Sequence, residues 1–278
     1  MTHPFSLSPD TRIAFVGGGN MASAVIGGLC RQGLSAGRID VIEPFEATRE
    51  ALRVTHGIVA HAKPDAFLCG VDLIVWAIKP QDFAQAALSV RPYTEHALQL
   101  SVMAGIRTQA IACAMGSARV VRCMPNTPAL VGQGIAGLFA VSAVTPSDRY
   151  LAETVIATTG THLWVDREDL LDAVTALSGS GPAYVFYFLE AMQQAGTELG
   201  LSPEQGRQLA VSTFLGSSVL ARDSLEQLGT LRERVTSKGG TTHAALTWLE
   251  HTGVKGSFVE AIHAACSRAK ELGSEHIR

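Results

Sequence analysis

The chain has 278 residues, 47% of them hydrophobic, with a formal net charge of −3 and a pI near 6.3. At roughly 150 residues per domain this length predicts about two domains, and so much apolar material excludes a disordered chain. An acidic balance gives nucleic acid nothing to bind. The longest apolar runs, 73–78 and 183–189, fall far short of the ~20 residues that span a bilayer. Five cysteines, at 30, 69, 113, 123 and 266, form an odd set without a C-x-x-C pair. They predict no disulfide framework, no metal site and a reducing, cytoplasmic setting. The opening residues lack the charged segment, apolar stretch and cleavage site of a secretory signal. A protein with a small-molecule ligand remains.

In chain order, strands are predicted at 12–16, 39–42, 73–78, 97–102, 120–123 and 135–141. Helical stretches of 10–15 residues separate them, the pattern of parallel βαβ units. Beyond residue 165 the composition changes. Residues 1–165 carry 12 Lys or Arg against 11 Asp or Glu, a net of +1, and residues 166–278 carry 10 against 14, a net of −4. Nine of the eleven prolines precede residue 166. Residues 1–165 are therefore read as a Rossmann-like dinucleotide-binding domain and 166–278 as an all-helical domain, an α/β fold class overall.

In the second half, Tyr184, Phe188, Ala191, Ala195 and Leu199 share one helical face, while Val185, Leu189 and Met192 fill the adjacent one. That apolar arc is too wide for one wet side and predicts burial against another subunit. Gly200 reads as a C-cap, and Ser202-Pro203 as an N-cap with proline at N1. Further helices are predicted at about 203–222, 225–235, 241–252 and 255–272.

The first predicted strand runs into Gly17-Gly18-Gly19-Asn20-Met21-Ala22, a G-x-G-x-x-A between strand and helix. That context is the dinucleotide fingerprint. Gly17 permits the tight turn, Gly19 lets backbone approach a pyrophosphate, and Ala22 lets helix and sheet pack. The next strand ends at Glu43, 24 positions after Gly19. An acid there either accepts from a ribose 2′-hydroxyl and repels a 2′-phosphate, favouring NAD over NADP, or faces solvent with Pro44 redirecting the chain.

Lys79-Pro80 closes another buried strand, where open parallel sheets place their ligands. Ser101-Val102-Met103-Ala104-Gly105 and Cys123-Met124-Pro125-Asn126-Thr127-Pro128 hold the same position on later strands. Leu177 to Ala183 reads as a break between two helices, with free amides that can face an anion. Val235-Thr236-Ser237-Lys238-Gly239-Gly240-Thr241-Thr242 opens a further helix. It offers backbone amides to a carboxylate and hydroxyls to a neighbouring polar atom, or merely a Ser237 or Thr241 cap.

Together these motifs resemble the pyrroline-5-carboxylate reductase family, from about residue 12 to 272. The resemblance rests on the glycine loop with Asn20-Met21-Ala22, on Ala77-Ile78-Lys79-Pro80, on 122–128 and on 177–184. Residues 235–250 carry it furthest. It implies reduction of the cyclic imine 1-pyrroline-5-carboxylate to L-proline by NADPH, with NADH as the other donor. It also implies a helical domain forming a homodimer, with dimers joining into larger assemblies. By the same resemblance Gly17, Gly19 and Asn20 to Ala22 hold the pyrophosphate, and Glu43 and Pro44 flank the adenosine ribose. Lys79, Pro80 and Val102, Met103 and Ala104 line the nicotinamide half. Thr242 bonds the ring nitrogen, and Ser237, Gly240 and Thr241 surround the substrate carboxylate. Glu168 and Arg234 line the substrate pocket. Lys238 stands where the family usually has proline, which changes loop rigidity without removing amides.

Chemistry separates this reading from a hydroxyacid dehydrogenase of similar architecture. Reducing a ketone creates an alkoxide and needs a placed acid, whereas a protonated imine leaves a neutral amine. No lysine lies between Lys79 and Lys238 to serve as that acid. A non-catalytic dinucleotide sensor would need the glycine loop but not the stretch from Ser237 to Thr242.

Overall fold

A computed structural model describes residues 7–275. Eight strands form one sheet in the order β3-β2-β1-β4-β5-β6-β7-β8. They are β1 (Ile13–Val16), β2 (Ile39–Ile42), β3 (Ala60–His61), β4 (Leu73–Trp76), β5 (Leu98–Ser101), β6 (Val120–Met124), β7 (Gly134–Ala140) and β8 (Gly160–Trp164). Helices α1 (Asn20–Arg31), α2 (Glu46–His56), α3 (Phe83–Val90), α4 (Thr108–Met115) and α5 (Pro146–Ala157) punctuate the strands. Strands buried on both faces read as unbroken apolar runs, as IAFV and LIVW do. Their side chains alternate between two cores: Ile13, Phe15 and Val75 enter one, and Ala14, Val16, Ile74 and Trp76 the other. The buried Trp76 indole N–H donates to Gln99 Oε1 (2.8 Å), which satisfies both polar groups.

Pairing is parallel except between β6 and β7, where Cys123 faces Leu138 in antiparallel register. The all-parallel expectation fails here for a geometric reason. Only a 3-10 turn, Thr127–Val131, joins the two strands, and a parallel return needs a crossover of a dozen or more residues. Two strands escaped sequence reading: β3 has only two residues, and β8 alternates half-buried with exposed positions at the sheet edge.

Of the described residues, 7–180 with 265–275 form one compact unit and 181–264 another. The first unit includes α6 (Leu170–Val174) and a π-helical turn, Thr175–Gly179. The predicted break at Leu177 to Ala183, with its free amides, is instead a widened helix. Ser180 N–H donates five residues back to the Thr175 carbonyl (2.8 Å). Close packing explains the glycine there, since a Cβ on Gly179 would lie 2.7 Å from Met124 Cε.

The second unit holds α7 (Gly181–Glu198), α8 (Pro203–Asp223), α9 (Leu228–Arg234), α10 (Thr241–His251) and the start of α11 (Val254–Glu275). Gly200, at φ +98°, ends the turn after α7, and a Ser202–Gln205 capping box with Pro203 at N1 starts α8. Gly206 brings α8 against the α7 backbone, where a Cβ would stand 3.0 Å from the Gln193 carbonyl oxygen. Phe258 meets Tyr184 and Phe188 edge to face, at centroid distances of 5.7 and 5.4 Å.

Candidate active site

β1 delivers the chain into Gly17 at φ +96°, a conformation that L side chains rarely adopt. Space makes the same demand: a Cβ there would lie 2.5 Å from the Ala77 carbonyl oxygen and 2.7 Å from Ile78 Cγ2. The Gly17 N–H donates to the Ile42 carbonyl (2.8 Å), which hangs the loop between the ends of β1, β2 and β4. Gly19 is the opposite case, with nothing within 4 Å of where a Cβ would stand. It N-caps α1 without a side-chain cap, and no acid occupies the first turn. The first helical bond runs from Ser23 N–H to the Gly19 carbonyl (2.9 Å). The amides of Asn20, Met21 and Ala22 therefore have no acceptor among the described residues. Such a helix start carries roughly half a positive charge. An open backbone, free amides and a first turn without an acid fit a dinucleotide pyrophosphate.

Behind the loop, Ala22 is buried and Ser23 Oγ shares a hydrogen bond with His56 Nε2 (2.8 Å). Burial, helped by the charge of Arg31, holds the His56 imidazolium below its ordinary pKa. At the neighbouring strand ends, Lys79 is exposed before the 3-10 turn Pro80–Asp82. Val102 N–H donates to the Trp76 carbonyl (3.1 Å), which sets Val102 to Ala104 beside the end of β4. Met103 points into the core, so this segment offers mainly backbone and the exposed Ala104.

Glu43 does not face solvent; it is 6% exposed. Its Oε2 accepts from Gly18 N–H and its Oε1 from Phe45 N–H, both at 2.9 Å. Charge-assisted bonds of this kind contribute about 1.5–3 kcal/mol each. Pro44 and Phe45 are exposed beside it. Arg49 Nη1 donates to the carbonyls of Glu43 (3.0 Å) and Pro44 (2.7 Å).

In the second unit, Gly240 N-caps α10 without a side-chain cap or a first-turn acid. The Ser237 and Thr241 capping alternative is thereby removed. Gly240 N–H donates to the Ser237 carbonyl (3.0 Å), and Ala244 N–H returns to the Gly240 carbonyl (3.1 Å). Thr241, Thr242 and His243 amides have no acceptor among the described residues. A Cβ on Gly240 would lie 2.6 Å from Ser237 Oγ, so glycine keeps the hydroxyl against the helix start. Thr242 is half-buried, whereas Ser237, Lys238, Gly239 and Thr241 are exposed. Arg234, at the end of α9, pairs with Glu226 (2.5 Å).

Glu168 is held within the first unit. It accepts from Thr108 N–H (2.7 Å) and Thr108 Oγ1 (2.9 Å) at the start of α4, and from Arg122 Nη1 (2.8 Å). Arg122 is buried in β6, and burial pulls its guanidinium below the ordinary pKa while Glu168 opposes that shift. Asp172 joins the cluster by accepting from Arg107 (2.7 Å). Arg122 opens the 122–128 motif, and an arginine inside a strand of apolar residues already signals a buried acidic partner. Asn126, in the same motif, ties two segments together. Its amide spans Ser178 Oγ (3.2 Å) and Ile135 N–H (3.0 Å) and fixes the π-turn to the end of β6.

Residues 168–272 match the family described as pyrroline-5-carboxylate reductase dimerisation, and residues 12–105 match that described as NADP oxidoreductase coenzyme F420-dependent. The pyrroline-5-carboxylate reductase of Pseudomonas aeruginosa is 39% identical over 267 residues, covering 95% of this chain and 97% of its own. The chain belongs to the pyrroline-5-carboxylate reductase family. Membership makes it an NAD(P)H-dependent oxidoreductase that reduces the C=N bond of 1-pyrroline-5-carboxylate to give L-proline. The reductase of Coxiella burnetii superposes with a TM-score of 0.87 at 35% identity, over 95% of this chain and 98% of that one. A Plasmodium falciparum pyrroline carboxylate reductase solved with NADP bound superposes at 0.85 and 27% identity, over 96% of this chain and all of that one. The resemblance read from the motifs is thus borne out, as is the two-part fold class. Among the described residues of this reductase, no helix is long and apolar enough to cross a membrane.

Proposed function

We propose that the reductase divides its reaction between two glycine-capped helix starts, one for the dinucleotide and one for the imine. Gly17, Gly19 and the amides of Asn20, Met21 and Ala22 take the pyrophosphate. Pro44 borders the adenosine ribose, and Lys79, Pro80 and the backbone of Val102 to Ala104 border the nicotinamide. When bound, NADPH or NADH supplies the hydride. Ser237, Gly240 and Thr241 surround the substrate carboxylate, and Thr242 is the catalytic residue whose hydroxyl bonds the ring nitrogen. Glu168 acts indirectly, by bracing Arg122 and α4, and Arg234 through its ion pair with Glu226.

The observation that carries this reading is the bare start of α10, with three amides free, no acid in its first turn and the Ser237 hydroxyl alongside. Those features suit a carboxylate. Holding the carboxylate orients a protonated imine without demanding a strong acid, because reduction leaves a neutral amine. Positioning of this kind supplies much of the acceleration when no difficult proton transfer accompanies the hydride. Functionally the chain divides near residue 165, with the helical part forming a homodimer and dimers joining further, in the cytoplasm. Exposed apolar residues in the second unit support self-association: Phe186, Tyr187, Leu209, Leu215, Leu220 and Trp248 are each more than half exposed. Mixing purified protein with NADPH and 1-pyrroline-5-carboxylate should bleach the nicotinamide absorbance band and yield proline. No bleaching with either reduced dinucleotide, in a folded protein, would sink the reading.

A further inference from the structure

The corner between β2 and α2 brings together an acid, Glu43, just after the strand and a cation, Arg49, on the helix. Glu43 is 6% exposed, and each carboxylate oxygen already accepts a backbone N–H, one from Gly18 inside the glycine loop and one from Phe45. The carboxylate is thereby turned onto backbone and, so buried, presents little of itself to a ligand. The cation at the same corner is Arg49. It is anchored by Nη1 on the carbonyls of Glu43 and Pro44, the two residues that lead the chain out of the sheet. Its Nη2 and Nε have no acceptor among the described residues, which leaves one edge of a rigid donor fork available. Of the acids on α2, Glu50 is engaged bidentately by Arg53, and Glu46 stands exposed in the first turn.

We infer that Glu43 is a positioning residue that braces the glycine loop, and that Arg49 is the specificity-determining residue that favours a 2′-phosphorylated dinucleotide. This rests on the assignment of the glycine loop to the dinucleotide. Glu43 holds Gly18 N–H and so fixes the turn from which the free amides of α1 project. Its effect falls equally on dinucleotides with and without the 2′-phosphate. Arg49 acts on the phosphate alone.

Fluorescence titration of NADPH and NADH, without imine, separates the two roles. Glu43→Gln keeps one acceptor oxygen but turns an amide donor toward the other N–H. It should weaken both dinucleotides alike and leave the ratio of their Kd values within about twofold. Arg49→Gln should weaken NADPH by about 10-fold and NADH by less than about twofold, and Arg49→Lys, which keeps the charge but not the fork, should restore only part of the NADPH affinity. Glu43→Gln that shifts the ratio about 10-fold toward NADPH would place the carboxylate on the ribose and overturn the inference. Arg49→Gln that leaves the ratio unchanged would overturn it equally. Wild-type protein that binds neither dinucleotide would instead overturn the assignment of the loop itself. Circular dichroism of each variant shows whether the fold is retained, and the Arg49 pair keeps the test decisive if Glu43→Gln does not fold.

Discussion

The sheet unit covers its own apolar surface and the helical unit does not. β1, β4 and β5 are buried along their whole length. By contrast α7, α9 and α10 contain no buried residue, and α8 buries only Gly206 and Ala210. The contrast extends to the helix start that each unit contributes. The loop before α1 is tied down by Ile42 through Gly17, by Glu43 through Gly18 and by the packing of Ala77. The loop before α10 is closed by its own turn, Gly240 onto Ser237, with its tip exposed. One local device therefore occurs in two contexts. A sheet flanked by helices preorganises the first, and the second depends on what covers the helical unit. On the reading above, that cover is another copy of the chain.

The hardest blow to the rigid side of this comparison is Gly17→Val. Its Cβ would meet a backbone oxygen that cannot step aside, at a φ unfavourable to valine. We expect the NADPH Kd to rise at least about 100-fold, or about 2.7 kcal/mol. A fluorescence titration that showed unchanged binding would separate the loop from the dinucleotide. On the other side, Thr242→Ala should lower kcat/KM by roughly 10- to 100-fold, the 1.4–2.7 kcal/mol of one or two charge-assisted hydrogen bonds, while the NADPH Kd stays put. Thr242→Ser should recover most of that loss. Full activity in the alanine variant would remove Thr242 from the site, and complete inactivity would make it a true acid.

Leu215→Glu sharpens the contrast in covered surface. Wild-type protein should sediment as a dimer or larger at micromolar concentration. A charge at this exposed leucine should weaken association by about 10-fold or more, the equivalent of about 1.5–3 kcal/mol for one buried leucine. Dinucleotide affinity should persist, and a stable, active wild-type monomer would refute the need for a partner.

The smallest effect belongs to His56, which links α2 to Ser23 of α1. Its folded pKa lies below the unfolded one, so below pH 6.5 the unfolded chain takes up the proton first. Stability should therefore fall slightly as pH drops below about 6.5 and level off below the folded pKa. The Tm difference between pH 7 and pH 5.5 should shrink in His56→Gln, and an unchanged difference would show that other groups dominate.

Much of this was legible in the residues. Unbroken apolar runs marked the buried strands, because a strand covered on both faces has no polar side to display. The glycine loop was legible because few sequences satisfy a positive φ, a collision-free turn and an uncapped helix together. The helices of the second half were marked by Gly200, Ser202 and Pro203, whose effects act within a few residues. The tertiary structure decided whatever depends on partners far apart in sequence. It turned β7 antiparallel, converted the break near Ser180 into a π-turn against Met124, and paired Arg122 with Glu168 across 46 positions. Above all it turned Glu43 back onto Gly18. Local spacing places an acid at the end of a strand, but only the packed loop determines which donors its carboxylate meets first.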